Sequence, residues 1–335
     1  MKKLPAFEKK STWRNLRQKK HKRRKKTIFS LLFLFAGILF VFLIFKVWTS
    51  FRQSRWLGQG RISLVFSCSP QTIFSYQQIK ADDYSYESTL SVVSIPEKTL
   101  IKTIHGYGDY RIESLPKLEV LEKRNLISES LENTLSLPIE GFINLSGCSL
   151  PEGTEAKNIF LKGLLQAFFA SGKTNLGKWD LIRLFWSARN LKVEQIKRLD
   201  LESSGITSPQ VLPDGTQLLK ILPEKMEAQA AEFFRDEVGR RESLAIEVLN
   251  ATDYPGLGER AVRILSNLGL EVVRVGNESH QYKECLLLGS HLTAKTYTVR
   301  RLKEIFNCTF REEELQRADL SLILGQDYFA KLEEK

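Results

Sequence analysis

The chain has 335 residues, of which 42% are hydrophobic, and 50 Lys/Arg against 39 Asp/Glu give it a formal net charge of +11. That charge is unevenly placed: residues 1–26 hold thirteen Lys/Arg and one acid, Glu8, while residues 27–335 hold 37 bases against 38 acids. The excess is a property of a tail, and these 26 residues carry no DNA-binding fold, so no nucleic-acid partner is expected.

Within the tail, Lys19, Lys20, Lys22, Arg23, Arg24, Lys25 and Lys26 abut a long apolar stretch. A juxtamembrane basic cluster rests on anionic headgroups and holds its end of the chain on the cytoplasmic side. Residues 27–45 are nineteen positions without a charge. As a helix rising about 1.5 Å per residue they would span close to 30 Å, the thickness of the hydrocarbon core. Trp48 and Phe51 follow at interfacial depth, with Trp13 on the other flank. The stretch exceeds the apolar region of about 7–15 residues in a cleaved signal peptide. No small-x-small site follows it at Lys46-Val47-Trp48-Thr49-Ser50. The prediction is an uncleaved signal-anchor: one transmembrane helix over 27–48, a single pass through the cytoplasmic membrane, N-terminus inside and C-terminal region extracellular.

After a polar linker over 49–60, residues 61–202 read as an α/β domain. Apolar runs of strand length occupy 62–68 and 90–95, and the alternation over 98–104 suits a third strand. Gly106-Tyr107-Gly108-Asp109-Tyr110 reads as a loop. A helix is predicted over 115–135, a strand over 141–145, and amphipathic helices over 161–169 and 179–190. In the last of these, Trp179, Ile182, Leu184, Phe185 and Trp186 read as core. Residues 203–243 carry the breakers Ser208-Pro209, Pro213-Asp214-Gly215 and Pro223, and read as a linker.

Residues 244–328 form the clearest unit. Strands are predicted over 244–249, 270–275, 285–288 and 320–324, and helices over 257–268 and 294–306, with Gly269 closing the first helix. A short piece at 308–310 would add an edge strand. The order βαββαβ predicts a ferredoxin-like sheet with helices on one face. The fold class is thus α/β followed by α+β. Four cysteines, Cys68, Cys148, Cys285 and Cys308, form no CxxC pair, and no His stands at zinc-ligand spacing, so neither a metal nor another cofactor is expected. An even number in an exported protein allows disulfides with three connectivities, Cys285–Cys308 among them; four buried free thiols are the alternative.

Two segments of the last unit carry a family resemblance. Ile246-Glu247-Val248-Leu249-Asn250-Ala251-Thr252, with Pro255-Gly256-Leu257 and Gly269-Leu270-Glu271-Val272 after it, is one. The closing Ala318-Asp319-Leu320-Ser321-Leu322-Ile323-Leu324-Gly325-Gln326-Asp327-Tyr328 is the other. Together they resemble the LytR C-terminal domain, in which a V-L-N-G-T turn is answered by a terminal L-G-x-D-Y. Ala251 stands where glycine is usual, so a different turn is expected there. That domain follows a LytR-CpsA-Psr domain in proteins of this topology. Val92-Val93-Ser94-Ile95-Pro96 and Leu137-Pro138-Ile139-Glu140-Gly141-Phe142-Ile143 resemble two of its segments.

The resemblance implies a phosphotransferase moving glycopolymers from polyprenyl-diphosphate carriers to the cell wall. Such chemistry needs cations on the diphosphate and a carboxylate-held metal. The family places them at two motifs, which here read Ser69-Pro70-Gln71-Thr72 and Glu97-Lys98. The expectation is therefore a degenerate, LCP-like domain in a non-catalytic binding or assembly module. Its partners would be the lipid bilayer and a cell-wall glycopolymer, peptidoglycan or another envelope protein. The alternative is a transferase with rewired residues, for which Lys98, Asp109, Arg111 and Lys117 are the candidates.

Overall fold

The computed structural model describes residues 33–35, 37–42, 45–46, 49, 54–56, 58–82, 85–122, 125–149, 156–170 and 174–333. The chain divides into two units, Met1–Gln53 and Ser54–Lys335. In the first, residues 33–35, 37–42 and 45–46 are helical, and their large apolar side chains stand exposed, Phe33 at 76% and Phe45 at 58%. The basic tail over 1–26 and much of the span predicted over 27–48 lie outside the described residues. Among the described residues no helix is long and apolar enough to cross a membrane.

The second unit begins with β1 (Gly60–Ser69), β2 (Gln71–Asp82) and β3 (Ser85–Ile95), an antiparallel meander with Leu64 opposite Phe74 and Phe74 opposite Val92. Alternation along these strands divides their side chains between two cores. Ile62, Leu64, Phe66, Phe74, Tyr76, Leu90 and Val92 face one way; Val65, Ile73, Val93 and Ile95 face the other. A sheet covered on both faces explains why β1 and β3 read as nearly continuous apolar runs. β2 was not predicted as a strand, because its polar residues Gln71, Ser75, Gln77 and Gln78 mask the pattern.

Then come β4 (Thr99–Lys102), β5 (Asp109–Arg111), α1 (Leu115–Glu122), α2 (Leu126–Leu135), β6 (Gly141–Ser149), α3 (Ala156–Phe169), α4 (Lys178–Ala188) and β7 (Ile196–Asp200). The helix predicted over 115–135 is thus two helices. β6 joins β1 and β7 joins β3, both parallel, giving the order β6-β1-β2-β3-β7. α3 and α4 cover one face through Phe160, Leu164, Leu181 and Leu184. The other face is covered by α1 and α2, through Leu115, Ile127 and Leu131.

The stretch read as a linker over 203–243 instead folds as β8 (Thr207–Val211), β9 (Gln217–Ile221), α5 (Pro223–Phe233) and α6 (Glu237–Glu242). These elements complete a second sheet, β5-β4-β9-β8. They also bury Ile206, Ile221, Met226, Ala230 and Phe233 in the core that holds Val93 and Ile101. The breakers have local work here. Pro209 lies on the edge strand β8, where no ladder N–H is missed. Gly215 takes φ +81° in the hairpin turn. Asp214 accepts a bond from the Thr216 N–H there (2.9 Å). Pro223 opens α5, where its missing donor costs nothing.

The chain ends in β10 (Ala245–Asn250), α7 (Leu257–Asn267), β11 (Glu271–Asn277), β12 (Leu286–Gly289), α8 (Tyr297–Phe306), β13 (Thr309–Glu312), β14 (Leu320–Leu324) and α9 (Gln326–Glu333). Its sheet has five strands in the order β11-β10-β14-β12-β13, which corrects the four-stranded ferredoxin-like expectation. Each βαβ unit keeps its two strands side by side, β10 with β11 and β12 with β13. β14 enters between the two units, parallel to β10 and antiparallel to β12. The piece predicted at 308–310 belongs to β13, a full edge strand. α7 and α8 lay Ala261, Ile264, Leu265, Val299, Leu302 and Phe306 on one shared core. Cys285 and Cys308 form a disulfide across the β12–α8–β13 unit, and Cys68 is disulfide-bonded as well.

Candidate functional site

The C-terminal ends of β3 and β7 run in parallel register, which brings Arg198 beside Val92 and Asp200 beside Ser94. A cavity of about 640 Å³ opens there, lined by Pro70, Ser94, Pro96, Glu97, Lys98, Arg198, Asp200, Glu202 and Gln217-Leu218-Leu219 of β9. Its charges are two cations, Lys98 and Arg198, against three carboxylates, Glu97, Asp200 and Glu202. Glu97 accepts a bond from the Ser69 hydroxyl, and Asp200 accepts one from the Glu202 N–H (3.1 Å). Among the described residues no group of three or more His, Cys, Asp or Glu could hold a metal ion. A diphosphate in this cavity would meet two cations and three carboxylates, and among the described residues those carboxylates are not grouped to hold a metal ion, so these residues do not fit the metal chemistry that the upstream resemblance implies.

The four candidate side chains do not converge. Lys98 lines this cavity. Asp109 lines a second one, about 450 Å³, with Lys102, Lys220 and Arg263. Arg111 is exposed and pairs with Glu113 at 2.8 Å. Lys117 is exposed on α1. Of the loop read over 106–110, Asp109 and Tyr110 belong to β5. Near it, the Glu119 carboxyl is pushed up to about 7, by burial first and by the Glu129 charge second. Glu129 also faces His105 at 3.4 Å.

The two C-terminal motifs turn out to be architectural. Asn250 organises the turn after β10: its amide donates to the Tyr254 carbonyl (2.8 Å) and its oxygen accepts from the Thr252 N–H (3.1 Å). Ala251 is buried and takes no positive φ; Gly256 supplies it, at +85°, just before α7. The Asn side chain thus closes the turn without a glycine at Ala251. At the other end, a Cβ on Gly325 would stand 2.5 Å from the Glu284 backbone, so only glycine fits. Asp327 then accepts from the Cys285 N–H (3.1 Å), and its own N–H donates to Lys283 (2.9 Å). Tyr328 is buried in the core beside Phe306, its phenol pushed up to about 12 by burial. Residues 243–328 match the family LytR_C, described as LytR cell envelope-related transcriptional attenuator. This part of the chain is a LytR C-terminal domain.

The chain is similar to the crystal structure of a transcriptional regulator from Enterococcus faecalis, with 10% identity and a TM-score of 0.34. That likeness covers 64% of this chain and 89% of the other. No curated protein matches the chain.

The LytR C-terminal domain is joined to the preceding α/β body by a buried ionic cluster that sequence reasoning missed. Arg301 on α8 is 5% exposed and donates to Glu140, which precedes β6; its Nε lies 3.8 Å from Asp236. Asp236 caps α6 and is 1% exposed. It accepts from the Tyr297 hydroxyl (2.5 Å) and from the Arg61 N–H (3.4 Å). The Arg61 guanidinium donates to the carbonyls of Phe233 (2.9 Å) and Arg235 (2.8 Å) and to Gln77 (2.7 Å). Burial lowers Arg61 to about 10, so it remains charged at neutral pH. Burial acts against the charge on Arg301 too, but Glu140, Tyr297 and Asp236 together hold its pKa above the ordinary value. Burial and the Asp236 charge raise Tyr297, which stays a neutral donor. Asn267 of α7 adds a second tie, donating to the Ser136 carbonyl (2.9 Å) at the end of α2. A joint of this kind holds the LytR C-terminal domain and the body in one orientation.

Proposed function

We propose that the chain is a membrane-anchored protein of the cell envelope, in which the LytR C-terminal domain and the body beneath it act as one rigid, non-catalytic binding or assembly module. The anchor is the uncharged stretch 27–45, with the N-terminus inside and residues 54–335 on the outer side. The ligand is a wall glycopolymer, peptidoglycan or another envelope protein. The observation that carries the non-catalytic reading is the lining of the cavity beside Ser94 and Pro96, which offers two cations against three carboxylates that, among the described residues, are not grouped to hold a metal ion. Export is supported by the Cys285–Cys308 disulfide, a bond that persists in oxidising compartments. The anchor is supported by the exposed apolar helical residues between 33 and 45.

The second reading, a transferase with rewired residues, has one specific observation in its favour: Lys98 and Arg198 do line that cavity. The two separate in a direct assay. The full-length protein is offered a polyprenyl-diphosphate glycan, a divalent metal and a wall acceptor. A binding module retains the glycan or the wall fragment and releases no lipid carrier. Metal-dependent carrier release that disappears in Lys98→Ala would replace our reading with the second.

A further inference from the structure

α3 and α4 both lay their buried sides on the same face of the large sheet, so their opposite sides point away from it together. Those outward sides are not polar. Trp186 is 55% exposed, Phe169 77% and Leu165 45%. The sequence places Trp186 and Trp179 in the core; Trp179 is instead 38% exposed. The two lie seven residues apart, on one side of α4. Cations interleave with these rings. The Arg189 guanidinium lies 4.2 Å from the centre of the Trp186 ring, and the Lys178 ammonium 5.5 Å from that of Phe168. Over 156–192 the chain carries seven Lys/Arg and one acid, Asp180. Asp180 is fully buried, so the charge this hairpin presents outward is positive. The excess is local, because residues 27–335 as a whole carry slightly more acids than bases.

Asp180 also locates the entry of the chain into this unit. Its carboxylate accepts from the Ser54 hydroxyl (2.5 Å) and from the N–H groups of Arg55 (3.2 Å) and Trp56 (3.1 Å). The chain therefore enters at the first turn of α4. Ser54 is nine residues beyond Phe45, the end of the uncharged stretch. Nine residues reach at most about 30 Å when fully extended. A protein anchored through 27–45 consequently keeps the α3–α4 hairpin within one short tether of the membrane surface.

We propose that the outward side of α3 and α4 is a membrane-docking surface. Phe169, Leu165 and Trp186 enter the interfacial layer of the bilayer, and Lys162, Lys178 and Arg189 engage anionic headgroups. Tryptophan and tyrosine favour that layer because one end of the ring is apolar and the other is wet, and neighbouring cations add attraction to anionic lipid. The consequence is orientation: the module is held down on the side of α3 and α4. This inference rests on the anchor described under the proposed function.

The test uses the full-length protein reconstituted into vesicles of phosphatidylcholine with phosphatidylglycerol, some carrying a headgroup-proximal spin-labelled lipid. The emission of Trp186 is isolated as the difference between the wild type and Trp186→Phe, a substitution that keeps an aromatic ring at this half-exposed position. The expected result is a difference spectrum that is blue-shifted relative to detergent and largely quenched by the spin label. Its quenching should weaken in high salt and in the Lys178→Glu/Arg189→Glu variant. Retention after an alkaline wash is measured on the same vesicles. If the protein is retained and the Trp186 emission is unquenched, the docking surface is wrong and the anchor stands. If the protein is washed off, the anchor is wrong, and the docking surface falls with it.

Discussion

Replacing Arg301 by methionine removes a charge from a place that water does not reach, while keeping most of the side-chain volume. Its partners stay behind: Asp236 at 1% exposure and Glu140 at 10%. Asp236 retains the Tyr297 hydroxyl and the Val238 N–H, and Glu140 retains the Ser63 N–H (2.6 Å). Among the described residues, neither carboxylate retains a cationic side chain in direct hydrogen-bonded contact. Breaking a buried pair by removing one partner costs about 3–5 kcal/mol, because the surviving charge has lost its solvent and its counterion together. Domains are stable by only about 5–15 kcal/mol, so this is a large fraction of the total. Equilibrium urea denaturation followed by tryptophan emission measures it. Arg301→Met should move the midpoint strongly downward, and Glu140→Gln added to it should recover part of the loss. A loss below about 1 kcal/mol, the range of an exposed pair, would refute the view that this cluster fastens the two domains. So would a Glu140→Gln change whose effect adds to that of Arg301→Met without any recovery.

Two further outcomes follow from the same structure. Glu119, raised to about 7 from an ordinary value near 4.5, binds its proton more tightly in the folded protein than in the unfolded chain. Its contribution to stability is therefore fully present below about pH 4.5 and is lost as the pH rises through about 7. Glu119→Gln should flatten the pH dependence of Tm across that window and raise Tm at pH 8; an unchanged profile would count against it. The Cys285–Cys308 bond closes a loop with a sequence separation of 23. Opening such a loop restores conformational freedom to the unfolded chain worth about 3 kcal/mol. Cys285→Ser/Cys308→Ser should accordingly lower the stability of the C-terminal domain by that order, read by the same denaturation. A neutral result would mean that the bond contributes nothing to the folded domain.

Much of the C-terminal domain is legible in the sequence. Its helices carry a strict apolar stripe, Leu257-Ala261-Ile264-Leu265 in α7 and Val299-Leu302-Ile305-Phe306 in α8, and its ends are marked by side chains that act on their own neighbours. Asn250, Gly256 and Gly325 work within a turn or against an adjacent strand, and local work leaves a local pattern. Strand pairing does not. Nothing in the order βαββαβ says whether β14 closes at an edge or between the two halves, because that choice depends on which buried faces meet. The linker reading of 203–243 failed for a related reason. Prolines and glycines mark turns, and a turn within a packed hairpin has the same sequence as a turn within a tether.

The site was less legible than the fold. Glu97 and Lys98 could be found at the end of β3 by resemblance, but Arg198 and Asp200 come to the same cavity from about a hundred residues later, through the parallel pairing of β7. Arg61, Glu140, Asp236, Tyr297 and Arg301 are scattered over 240 positions and carry no shared spacing. The sequence by itself determined the distribution of charge, the uncharged stretch 27–45, the two long helices of the C-terminal domain and its family, since each depends on residues near one another in the chain. Only the tertiary structure decided which carboxylates share a cavity, which charges are buried together and which tryptophans face outward. Those outcomes depend on what covers a side chain, and the covering residues are remote in sequence.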